Sequence, residues 1–141
     1  MEELLLLREL IEKQEYDQAL EIVSQLEEMS REDKLAKIYS YAVILLIHLI
    51  KQEAEKRSTR SWEFSIYNSS KEIKKVNKRK KSGGSYANEE ELKEILTDAF
   101  DTAIKKAALE AFEGIYTDNE LKQKIDEEEI KVKAMSLIYS N

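Results

Sequence analysis

Residues 30–56 read SREDKLAKIYSYAVILLIHLIKQEAEK, and the fold turns on how this stretch is read. From Ala42 to Ile50 every residue is apolar except His48, the only histidine in the chain. Leu35, Ile38, Tyr39, Ala42, Leu46, Leu49 and Ile50 recur at helical spacing and make one broad apolar face. Tyr41, Ile44, Leu45 and His48 form a second stripe beside it. A helix that is apolar on two faces needs other helices around it, so the pattern predicts a central helix over about 31–56, buried on nearly all sides. Its β-branched residues are not ideal helix formers, but the length and the flanking charges favour helix over strand. Ser30 is placed to cap the N-terminus, with Asp33 at the capping-box position. The apolar run is well short of the roughly 20 residues that span a bilayer, which argues against a membrane-crossing segment.

Helical periodicity continues on both sides. Upstream, Leu4, Leu7, Leu10 and Ile11 mark a first helix over 2–13. Ala19, Leu20, Ile22, Val23 and Leu26 mark a second over 17–28, and the two form a hairpin over 2–28. The turn EYDQAL resembles the bend of a tetratricopeptide hairpin, but no second copy follows at a period near 34 residues, so a repeat array is not expected. Downstream, Ser58 and Thr59 can cap a basic helix over 60–80, with Trp62, Ile66, Ser69, Ile73 and Val76 on one face. The alternation in SWEFSIY leaves an extended segment as the alternative there, and the Ser69–Ser70 pair is a weak point for a helix. Residues 82–88, SGGSYAN, read as a loop ending in Asn88, a cap for the helix that opens with Glu89, Glu90 and Glu91. That helix should run to about 113, with Gly114 past its end. A short helix or turn over 117–125 and a last helix carrying Ile130, Ala134, Leu137 and Ile138 complete the C-terminal helices over 89–139.

Composition agrees. The chain of 141 residues holds no proline and three glycines, and 37% of it is charged. The expectation is a single all-α domain over 1–141, a bundle of five to six helices around the buried central one. With no cysteine, disulfides, thiolate metal sites and a cysteine nucleophile are excluded. The opening glutamates are unlike the positive start of a signal peptide, and a cytoplasmic location is expected. Net charge is −6, unevenly spread: residues 51–81 hold eleven Lys or Arg against four Glu, a net of +7, and the rest sums to −13. Such asymmetry marks either an anion-binding face or a basic segment packed beside acidic helices of the same fold.

Two groups of residues carry possible chemistry. His48 and Lys51 lie three apart on one helix face. A sharp turn near Ser58 would return Arg57, Arg60 and Trp62 to that face, a set suited to a phosphate or carboxylate. The competing reading is structural, with histidine and tryptophan in the core and the arginines paired to Glu53, Glu55 or Glu63. The second group is the run of Lys74, Lys75, Lys78, Arg79, Lys80 and Lys81. It could contact a phosphate backbone, but it carries no aromatics for base stacking, and cations at a helix C-terminus are also favoured by the dipole. The acidic runs Glu89–Glu91 and Glu127–Glu129 read as first-turn charges rather than metal ligands. No metal site, cofactor motif, phosphate loop or nucleophile elbow is present in the sequence.

The stretch over 15–73 resembles the uncharacterised domain-of-unknown-function family twenty-nine, best represented in cyanobacteria. The likeness lies in LEEMSREDK leading to LLIHLIK, then RSTRSWEFSI and KEI. Gln52 and Glu53 stand where the family tends to carry an aromatic. The resemblance implies an all-helical fold and no established activity. The function expected is therefore a non-catalytic interaction module with a protein partner or a second copy of itself. The alternative is a nucleic-acid-associated or nuclease-like protein using the His48, Lys51 and Arg60 face.

Overall fold

The computed structural model describes residues 2–79 and 83–139. Among these the protein is all α. Its helices are α1 (Glu2–Glu12), α2 (Tyr16–Glu55), α3 (Arg60–Asn77), α4 (Glu89–Glu110), α5 (Asp118–Lys122) and α6 (Glu127–Tyr139), with a 3-10 turn at Ala111–Gly114. Two compact units are distinguished, residues 1–34 and 35–141.

The break expected at Ser30 does not occur. α2 is one helix of 40 residues, so the predicted helices 17–28 and 31–56 are a single element. The reason lies in the sequence around the serine. Residues 27–34, EEMSREDK, hold no glycine or proline and consist mainly of good helix formers. A serine inside a helix costs only about half a kcal/mol. Ending and restarting the helix would instead leave two sets of orphan backbone groups to satisfy. The capping-box spacing of Ser30 and Asp33 is outweighed.

In the first unit, α1 closes with a Schellman turn. Gln14 adopts φ 61°. Its N–H donates to the Ile11 carbonyl at 3.0 Å and the Glu15 N–H to the Leu10 carbonyl at 2.8 Å, which satisfies the last carbonyls of the helix. Leu10 and Ala19 are buried, whereas Leu4, Leu5, Leu6, Ile11, Tyr16 and Leu20 are exposed. The apolar face predicted for α1 is thus only partly covered.

The second unit holds the core. Ile38, Leu45, Leu46, Leu49 and Ile50 of α2 pack with Ile73 of α3 and with Leu92, Leu96, Ala99, Phe100 and Ala103 of α4. Ile130, Ala134 and Ile138 of α6 belong to the same cluster. The later part of α2 is buried along the first apolar stripe, but the second stripe is not covered as expected: of its members only Leu45 is buried, while Tyr41, Ile44 and His48 are not. These three lie at helical spacing and keep one narrow strip open to solvent. The Tyr39 hydroxyl meets the Thr102 hydroxyl at 2.9 Å and ties α2 to α4.

α3 is helical throughout, so the extended alternative for SWEFSIY does not apply. Thr59 caps it by accepting from the Trp62 N–H at 3.1 Å. Ser69 and Ser70 do not interrupt it. Their hydroxyls donate back to the Ser65 and Ile66 carbonyls at 2.6 and 2.8 Å, and both residues are buried. α3 ends at Asn77, three residues before the expected end.

The buried Asn77 side chain pairs with the Ala87 backbone as a strand neighbour would. Its Oδ1 accepts from the Ala87 N–H at 2.7 Å and its Nδ2 donates to the Ala87 carbonyl at 3.1 Å. An isolated bridge between Lys78 and Ser85 lies just beyond. Asn88 and Glu91 then form the full capping box of α4. α5 has its own box from Thr117 and Glu120, and those bonds hold the Glu120 carboxyl below its ordinary pKa.

α4 is followed by three successive left-handed residues, Phe112, Glu113 and Gly114, with φ of 52°, 58° and 78°. Only glycine fits the third position. A Cβ on Gly114 would lie 2.9 Å from the Leu109 carbonyl oxygen. The left-handed Phe112 is stabilised by an edge-on contact with Tyr116 at 5.2 Å and by a bond from its N–H to Glu55.

Candidate functional site

The turn between α2 and α3 gathers three of the five residues singled out around His48. α2 ends at Glu55, Lys56 reverses the chain with φ 54°, and the cap at Thr59 fixes the start of α3. This geometry returns Trp62 to the last turns of α2. Two cations lie over its ring, Lys51 Nζ at 4.9 Å and Arg57 Cζ at 4.6 Å from the centroid. Lys51 is 8% exposed. A buried ammonium needs a partner, and both the indole face and Glu110 Oε2, at 3.6 Å, serve.

Arg57 is likewise satisfied. Its Nε donates to Glu55 Oε1 at 2.9 Å, and Glu55 Oε2 accepts from the Phe112 N–H at 3.2 Å. The cluster therefore links the end of α2, the start of α3 and the turn after α4. A carboxylate of the same fold thus stands beside each cation, and the arrangement serves as a clasp between these elements.

His48 and Arg60 are not drawn in. The His48 Nδ1–H donates to the Ile44 carbonyl of its own helix at 2.8 Å, and the ring is half-buried on the strip with Tyr41 and Ile44. A carbonyl can only accept, so the proton is on Nδ1. Arg60 is exposed on the first turn of α3 and makes no ion pair among the described residues. No hydrogen bond joins His48 to Lys51, Arg57, Arg60 or Trp62. The pairing of Arg57 with Glu55 was open to sequence reasoning, since the two are neighbours. Glu110 and the Phe112 N–H were not: Phe112 lies 57 positions from Glu55.

In the basic run, Lys74 and Lys75 occupy the last turn of α3 and Lys78 is its C-cap residue. The Arg79 guanidinium lies 5.6 Å from the Tyr86 ring centroid. Lys80 and Lys81 are outside the described residues. Among the described residues, no three His, Asp or Glu side chains converge as metal ligands. No helix is long and apolar enough to cross a membrane.

A groove of about 810 Å³ runs between α4 and α6, lined in part by Lys93, Thr97, Lys131, Met135 and Tyr139. Lys131 contacts Glu127 at 3.2 Å and Glu128 at 3.0 Å, and Lys93 contacts Glu89 at 3.7 Å. Burial works against the Lys131 charge, but the bonds to Glu128 and Glu127 outweigh it and hold its pKa above the ordinary lysine value. The cations of this groove are paired with carboxylates of the same fold.

One consequence separates a clasp from an anion site. Lys51→Ala is expected to destabilise the protein by about 1–2 kcal/mol, through loss of a buried aliphatic stem and of the contact with the Trp62 face. Urea denaturation followed by the fluorescence of Trp62, the only tryptophan, measures it. An unchanged midpoint would mean that Lys51 is not structural.

No curated protein and no solved structure is significantly similar to the chain. The sequence over residues 6–130 matches the family described as Domain of unknown function DUF29, a span that includes α2 to α5 and all three members of the Trp62 clasp. With most of its length matched, the chain belongs to the DUF29 family.

Proposed function

We propose that the protein is a small cytoplasmic, non-catalytic interaction module whose first unit binds a basic amphipathic helix of a partner protein. The observation that carries this reading is the apolar surface left open on residues 1–34. Leu4, Leu5, Leu6, Ile11, Tyr16 and Leu20 are each at least 45% exposed, in a unit where Leu10 and Ala19 supply the buried apolar contacts. A piece of that size buries too little to be stable by itself, and an amphipathic helix laid along it would cover the leucines.

The chemistry of the occupant follows from charge. Residues 1–34 carry eleven acidic against four basic side chains, a net of −7. Like charge opposes a second copy on this face, whereas lysines and arginines flanking an apolar stripe complement it. The absence of catalysis is supported by the clasp geometry, in which His48 stands apart from Lys51 and Arg60, and Lys51 and Arg57 are each paired with a carboxylate.

Selection of displayed helical peptides on the whole protein tests this. Bound peptides should carry apolar residues at i, i+3 or i+4 and i+7 with Lys or Arg beside them. They should lose affinity at least tenfold to a Leu4→Lys/Leu20→Lys variant, a loss of about 1.4 kcal/mol or more. Both positions are exposed, so the variant should keep its fold. Peptides without that pattern, or indifferent to the substitutions, would overturn the proposal. So would sedimentation showing a dimer that the same substitutions dissociate, because a second copy would then occupy the face.

A further inference from the structure

We propose that the outward face of α3 is a binding site for single-stranded nucleic acid. The helix sets Arg60, Phe64, Tyr67, Lys71, Lys74 and Lys75 in a single line, at steps of three or four residues until the last pair. All six are exposed, Phe64 at 64% and Tyr67 at 59%. The opposite face of the same helix carries the buried residues Ser69, Ser70, Ile73 and Asn77, so the line points to solvent along its whole length.

The basic run alone has no aromatic residue. The helix supplies what the run lacks, because Phe64 and Tyr67 fall in register with the lysines one to three turns away. Their ring centroids are 6.5 Å apart, and Lys71 Nζ lies 5.6 Å from the Tyr67 centroid. Arg60, Lys71 and Lys75 make no ion pair among the described residues, unlike Lys51 and Arg57 of the clasp. Two large aromatic side chains with no core to fill, bracketed by Arg60 on one side and Lys71 and Lys75 on the other, offer two different contacts at once. The cations suit phosphates and the rings suit the faces of unstacked bases.

That combination selects the occupant. An acidic protein segment would satisfy the cations but give the rings nothing to stack on. In duplex DNA or RNA the bases are stacked on each other and closed to Phe64 and Tyr67. The overall charge of −6 does not cancel the site, because charges farther than about 8–10 Å away are largely screened at physiological salt.

The test is fluorescence anisotropy of a labelled oligothymidine and a labelled mixed-sequence duplex with the whole protein at low salt. The single strand should bind more tightly than the duplex. Its affinity should fall with log salt at a slope of about −0.7 per phosphate neutralised. Phe64→Ala and Tyr67→Ala should each weaken binding about tenfold or more, and Lys71→Glu/Lys75→Glu should abolish it. These positions are exposed, so unchanged circular dichroism should accompany the losses.

Three results would overturn the proposal. One is no binding of the single strand at micromolar protein in low salt. Another is equal binding of duplex and single strand that ignores the two aromatic substitutions, which would mean charge adsorption alone. The third is a polyglutamate peptide that binds the same face more tightly than the oligonucleotide, which would mark an acidic protein as the occupant.

Discussion

Leu46→Ala is expected to lower the unfolding free energy by about 2–5 kcal/mol, the range for truncating a fully buried leucine. Leu46 is completely buried, within a cluster to which α2, α3, α4 and α6 all contribute. Truncation removes the transfer energy of the lost methyl groups and leaves a cavity that a close-packed core fills only in part. Urea denaturation at equilibrium, with an unchanged m-value, gives the number directly. A loss below half a kcal/mol would mean that Leu46 does not face the core. Ile44→Ala on the same helix is a control, because Ile44 is 40% exposed and should cost far less.

Asn77→Ala should be comparably damaging, although it removes only an amide. The Ala87 N–H has Asn77 Oδ1 as its partner at 2.7 Å, and Ala87 is fully buried. Removing that acceptor leaves a buried donor unsatisfied, at about 1–3 kcal/mol. The Ala87 carbonyl fares better, since the Ser85 hydroxyl also donates to it at 2.9 Å. The expected total is about 2–3 kcal/mol, with the cavity included. Asn77→Asp keeps an acceptor for the N–H but brings a charge into a buried site and turns the Ala87 carbonyl toward a second acceptor. It should therefore not rescue stability. Thermal melts of the two variants check this, and a substitution to alanine without effect would show that the loop between α3 and α4 closes without Asn77.

The central helix, the loop before Asn88 and the capping box of α4 were legible in the sequence because each is set by neighbours within a few residues. Apolar spacing places Leu46 inward, and Asn88 with Glu91 is a local pattern with a local partner. Ser30 shows the limit of the same logic. Its spacing to Asp33 is a valid start signal, yet the helix-forming residues on both sides carry α2 through it.

The clasp at Trp62 was half legible. Spacing and the turn after Glu55 pointed to Lys51, Arg57 and Trp62. The group that neutralises Lys51 belongs to the end of α4, and no local pattern links Glu110 to it. His48 was the sharpest signal by composition and the least informative by geometry, since its bond returns to its own helix at Ile44. The aromatic residues of α3 were overlooked for a different reason. Charge runs are read along the chain, whereas Phe64 and Tyr67 join the lysines only on the helix surface.

The proposed binding role makes residues 1–34 a unit that awaits its partner, and hydrogen–deuterium exchange of the free protein tests this most directly. Local stability follows buried apolar contact, which is concentrated in the second unit. The expected result is that amides of residues 4–28 exchange orders of magnitude faster than those of residues 43–50, although α2 runs through both stretches. Addition of a selected basic amphipathic peptide should slow exchange in residues 4–28 alone. Slow, uniform exchange along the whole of α2 in the free protein would contradict it, because the first unit would then be complete without a partner.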